Sequence, residues 1–167
     1  LSSPSIDKKE TESEITRSDT INKTKRIKVE NENIKGSISL QGALIDDIIF
    51  KNYKETLNSE NKVTFLNPKN SSKEYFIETG WALGGNEKVK VPLDSTIWKV
   101  KGKNTLTAGG AIKLEWDNNE GLIFTKKIEL DDKFLFKITQ GIKNTSSKSF
   151  QFYPYAQITR SGKPEGR

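Results

Sequence analysis

The chain has 167 residues, enough for one domain with its own core, and carries 28 basic against 22 acidic residues for a net charge of +6. It contains neither cysteine nor histidine, which excludes disulfide frameworks, thiolate or imidazole zinc sites, and nucleophile systems with a histidine base. Carboxylate-only or lysine chemistry remains open, and no apolar run approaches the ~20 residues that cross a bilayer.

The positive charge invites a nucleic-acid reading, but only Arg17, Arg26, Arg160 and Arg167 are arginines. Base and phosphate recognition favours the arginine fork. The lysines alternate with acids and apolar residues, as in "KKIELDDKFLFK", and read as solvated faces of strands. The sequons at Asn22, Asn70 and Asn144 read as chance matches in a chain rich in Asn, Ser and Thr.

In chain order, residues 1–24 (LSSPSIDKKETESEITRSDTINKT) hold four basic and five acidic residues, few apolar ones and no aromatic. Such a stretch cannot bury enough surface to offset its ordering entropy and is expected to be a flexible tether. Residues 25–167 form the folded domain. "RIKVE" puts Ile27 and Val29 on one face, and "GSISLQG" does the same with Ile38 and Leu40. "ALIDDIIFKNY" is denser and is expected to be covered on both faces over part of its length. "KVTFL", "EYFIETGW", "STIWKV" and "AIKLEW" follow, with turns at "KGKN" and "AGG". The last strands are "FKITQGI" and "FQFYPYAQITR", in which Pro154 lacks a ladder donor and belongs at an edge or a bulge. No amphipathic helix stands out. The pattern predicts an all-β, antiparallel sandwich with hairpin connections. "RSGKPEGR" follows the last strand directly, so a continuing chain or a partner is expected to cover that edge.

Three groups of residues are candidates for chemistry. "LEWDNNEGLIFTKKIELDD" gathers Asp117, Glu120, Asp131 and Asp132. A calcium loop starting at Asp117 would need glycine where Leu122 stands and glutamate where Ile128 stands. Asp117 to Gly121 therefore reads as one hairpin loop and Asp131-Asp132 as the start of a second, with Phe124, Ile128 and Leu130 packing inward and Lys126, Lys127 and Glu129 giving polar relief. Asp46-Asp47 would point to opposite faces of a regular strand, so a bulge or early turn is preferred over a functional acid pair. Trp98 and Trp116 alternate with apolar neighbours and read as core. Trp81, before the glycine-rich "LGGNEK", is the less decided candidate for a sugar platform. Phe134 with Phe136, and Phe150 with Phe152, have the spacing of a core face. No catalytic, cofactor-binding or metal-ligating residue is assigned.

Five blocks in order, "GSISLQGALIDDIIFKNYKETL", "YFIETGW", "DSTIWKV", "LTAGGAIKLEWDNNEGLIFTKKIELDDKFLFKITQGIKN" and "YPYAQITRSGKP", resemble the periplasmic domain of bacterial YidC-type membrane protein insertases (the YidC/Oxa/Alb family), alphaproteobacterial members above all. The resemblance covers Arg26 to Pro164. It implies a supersandwich of the mutarotase-like kind, of which a chain stopping here would hold the N-terminal part. It also implies that the tether follows a first transmembrane helix and that the domain lies on the periplasmic side of the inner membrane. Insertion belongs to a membrane bundle of which nothing is present, so no groove residue is carried over. The implied role is non-catalytic: a scaffold or docking surface for Sec translocon accessory subunits that assists nascent membrane proteins, without cofactor or metal. The competing reading is a carbohydrate-binding or mutarotase-like sandwich. It is weakened by the missing histidine. A nucleic-acid-binding barrel rests on charge alone.

Overall fold

In a computed structural model, which describes residues 16–162, eleven strands form two sheets facing each other. The strands are β1 (Arg26–Glu30), β2 (Ile34–Ser39), β3 (Ile45–Lys54), β4 (Lys62–Leu66), β5 (Tyr75–Leu83), β6 (Lys99–Lys101), β7 (Thr105–Thr107), β8 (Ala111–Asp117), β9 (Leu122–Leu130), β10 (Phe136–Asn144) and β11 (Phe152–Arg160). One sheet runs β11-β5-β3-β2-β1-β7, with β4 also on β3, and the other runs β10-β9-β8-β6. The alternation in β9 is complete, with Leu122, Phe124, Lys126, Ile128 and Leu130 buried. Facing it are Ile27, Val29, Ile34, Ile38, Ile45 and Trp81 of the larger sheet, so the core lies between the layers. The protein is a β-sandwich.

The turn chemistry operates as its residues dictate. Asn119 (φ 57°) and Gly121 (φ 91°) take the left-handed conformation in the β8–β9 loop. Pro154 lies in β11, an edge strand paired only with β5. The double aspartate falls at a bulge: pairing between β2 and β3 shifts between Ser37↔Asp47 and Ile38↔Ile45.

Four readings need correction. The segment Arg17–Asn22, assigned to the tether, is a helix, α1. It starts at a capping box in which Thr16 Oγ1 accepts from Asp19 N (3.2 Å) and Asp19 Oδ2 accepts from Thr16 N (3.3 Å). Six residues are too few to show a helical period. The tether reading for residues 1–15 lies outside the described residues. The sandwich is not wholly antiparallel, because β7 pairs parallel with β1. Lys126 gives no polar relief: it lies on the inner face at 2% exposure. Phe134 is 46% exposed, because it sits in the β9–β10 connection ahead of the strand.

Candidate functional site

The bulge decides the fate of the two adjacent acids. An extra residue lets both Asp46 and Asp47 reach the outer face of the larger sheet, where Arg26, Ser37 and Ser39 also project. Arg26 Nη2 donates to Asp46 Oδ1, its Nε to Ser37 Oγ (2.7 Å) and its Nη1 to Thr24 Oγ1 (3.2 Å). Arg17 of α1 pairs with Asp47 Oδ1, and Ser37 Oγ donates to Asp47 Oδ2 (2.5 Å). Both carboxylates are buried, Asp46 at 3% and Asp47 at 6% exposure. Burial pushes the Asp46 carboxyl up to about 6, opposed by the charge and hydrogen bond of Arg26. A carboxylate held by a fork and a serine is a structural group, and the pairs fasten the start of the domain to its sheet.

Beside this cluster is a cleft of about 410 Å³ whose wall includes Thr20, Lys23, Arg26, Asp46, Lys69 and Asp94. Lys69 Nζ donates to Asp94 Oδ2 at 2.9 Å, holding the Asp94 carboxyl below its ordinary value. With Arg26 on Asp46 and Lys69 on Asp94, both carboxylates of the wall are paired and neither is a free base.

The second buried charge lies in the core. Lys126 Nζ sits 5.6 Å from the centroid of Trp81 and 5.0 Å from that of Trp98, and donates to Thr79 O at 2.6 Å. Its cross-strand neighbour Gln140 donates Nε2 to Gly80 O at 3.1 Å. Both side chains therefore cross the sandwich to the backbone of β5. Burial pulls the Lys126 ammonium down to about 8, with Glu78 opposing. Trp81 and Trp98 stack on each other in the core with centroids 6.3 Å apart, and Trp116 is half-buried against Phe124. The two buried indoles offer no sugar platform.

The acids of the hairpin loops are not brought together. Asp117 Oδ1 accepts from Asn119 N (2.8 Å), and Glu120 Oε2 accepts from Lys90 N (3.0 Å). At the other end of β9, Asp131 Oδ1 accepts from Lys133 N and Leu135 N, both at 2.9 Å. Asn118, which the sequence reading passed over as loop, is 2% exposed. Its Oδ1 accepts from Glu120 N and Leu122 N while its Nδ2 donates to Lys90 O. Among the described residues no three Asp or Glu side chains gather as metal ligands. No helix among them is long and apolar enough to cross a membrane.

Residues 26–167 match the family model of the YidC periplasmic domain. Curated relatives carry the name membrane protein insertase YidC. The protein of Pelagibacter ubique is 45% identical over 162 residues, covering 97% of this chain and 29% of that protein. Those of Roseobacter denitrificans and Methylorubrum extorquens are 39% and 36% identical over 152 residues, covering 90% of this chain and about a quarter of each protein. The chain thus spans under a third of the length of these relatives. The match of residues 26–167 to the family model, with relatives 36% to 45% identical over 90% or more of the chain, makes this β-sandwich a member of the YidC periplasmic domain family.

Proposed function

We propose that this chain is the periplasmic domain of a membrane protein insertase, acting without catalysis as a scaffold and docking surface. Its location is the periplasmic side of the inner membrane, with residues 1–24 leading from a membrane span and residues 25–167 forming the docking body. The partners are accessory subunits of the Sec translocon and nascent membrane proteins. The match of residues 26–167 to the periplasmic domain family carries this reading. Two features support the absence of catalysis: the chain has no histidine or cysteine, and its buried carboxylates are tied to arginines.

Photo-crosslinking in cells tests the docking role. A benzophenone side chain is placed in turn at Tyr153 and Ile158 of the exposed β11 edge, in the parent reading frame. Adducts with Sec accessory subunits are expected. Their absence at every position, with the protein at normal abundance, overturns the docking role. An alkaline phosphatase fused after Ser161 is expected to be active, and an inactive fusion overturns the periplasmic placement.

A further inference from the structure

The outer face of the four-stranded sheet collects lysine. Strand register places Lys99, Lys101, Lys113, Lys127, Lys137 and Lys143 there, against Glu115, Asp117 and Glu129, a net of +3. Lys101, Lys113 and Lys127 stand directly opposite one another on three adjacent strands. Like charges in that register repel and cost the sheet stability. The two outer lysines of the row are partly relieved by acids, one diagonal and one on the same strand: Lys101 Nζ lies 3.3 Å from Glu115 and Lys127 Nζ 2.7 Å from Glu129. Lys113, at the centre, makes no ion pair among the described residues and is exposed. Thr139 continues the row on β10. Beside it Gly141 faces Thr125, where an added Cβ would come within 2.9 Å of Thr125 Oγ1. The absent side chain leaves a shallow groove of about 290 Å³ lined by the three lysines and both threonines, with Glu115 as its one acid.

We propose that this face docks on an anionic phospholipid bilayer, with headgroup phosphates seated along the Lys101–Lys113–Lys127 row. Charge complementarity selects a polyanionic surface as the occupant. A lysine ammonium is a compact point charge that binds a phosphate without the planar demand of an arginine fork. An extended sheet face with several ammonium groups matches a bilayer surface, where each lysine raises partitioning roughly fivefold. The choice of a bilayer over a nucleic acid rests on the proposed periplasmic placement.

Vesicle flotation of the 167-residue chain tests it, with vesicles of phosphatidylcholine alone or of phosphatidylcholine mixed with phosphatidylglycerol. The wild type is expected to float with the anionic vesicles at low salt and to be released by about 0.5 M salt. The variant K101Q/K113Q/K127Q is expected to lose about a hundredfold in partitioning. The variant K28Q/K35Q/K51Q removes the same charge from the opposite face and is expected to lose less than about threefold by comparison. Equal losses in the two variants, or equal flotation with neutral vesicles, overturn the proposal. So does tighter binding to a DNA duplex than to the vesicles.

Lysine acylation footprinting of the wild type needs no variant to fold. Anionic vesicles are expected to protect Lys113 more than Lys35, and protection of Lys35 alone overturns the proposal. Ten millimolar inorganic phosphate is expected to leave flotation intact; its abolition there would mark a free-anion site and overturn the bilayer. The phosphatase fusion reports placement independently, so the two readings fail separately.

Discussion

On the outer face of the seven-stranded sheet, Arg26 and Arg17 lie against Asp46 and Asp47, and Lys51 and Lys28 against Glu30. On the outer face of the four-stranded sheet, three lysines stand in register with one another. The first face uses two of the four arginines of the chain, where burial makes a multidentate partner necessary. The second uses flexible, well-solvated ammonium groups whose repulsion water and salt can screen. On these two outer faces, charge that is buried is paired with its opposite, and charge left unpaired is exposed, free for a partner.

The largest expected effect comes from breaking a buried pair. Arg26→Ala leaves Asp46 buried without its fork, and urea unfolding should show a loss of about 3–5 kcal/mol. Lys113→Ala on the other face should change stability by less than about 0.5 kcal/mol, or raise it slightly.

Lys126 sharpens the contrast from inside the core. Its folded pKa of about 8 lies below the unfolded 10.5, so between those values the unfolded chain binds more protons. Stability should therefore rise with pH from about 8 to 10.5, by roughly 3 kcal/mol for this group alone. Lys126→Met should flatten that rise and gain about 1–3 kcal/mol at pH 7, since a hydrophobic residue avoids the cost of burying an ammonium. Urea unfolding at pH 7, 8 and 10 measures both effects.

Asp46 gives the opposite slope at acidic pH. Its folded pKa of about 6 exceeds the unfolded 3.8, so the folded state binds more protons between them. This contribution is fully present below about pH 4 and lost as pH rises through 6, roughly 3 kcal/mol in all. Unfolding curves at pH 4, 5 and 6 should show it in the wild type and not in Asp46→Asn. Apart from Lys113→Ala, the smallest effect is expected at the loop acids: Asp117→Ala should cost about 1 kcal/mol, the worth of one turn hydrogen bond, read as a lowered melting temperature.

Much of this was legible because two-residue alternation and turn chemistry are local. Ile112, Leu114 and Trp116 followed by Asp117–Gly121 specify a hairpin without tertiary knowledge. Asp46-Asp47 on an otherwise apolar strand announced the bulge, although their partners Arg26 and Arg17 could not be read from spacing. Lys126 was missed although parity contained the answer: it lies between Phe124 and Ile128 at the core-facing period, where charge outweighed position in the reading. Thr105–Thr107 carries too few residues for any period, and its parallel pairing with β1 is set by tertiary packing. The lysine row on the four-stranded sheet exists only once register is known.

Residue-by-residue lysine acylation of the free chain at pH 7.5 tests most directly whether charge is divided between interior and surface in this way. Lys126 should react slowest and Lys113 among the fastest, with Lys101 and Lys127 between them. Equal reactivity of Lys126 and Lys113 in the folded chain would contradict the register, the core and the proposed docking face together.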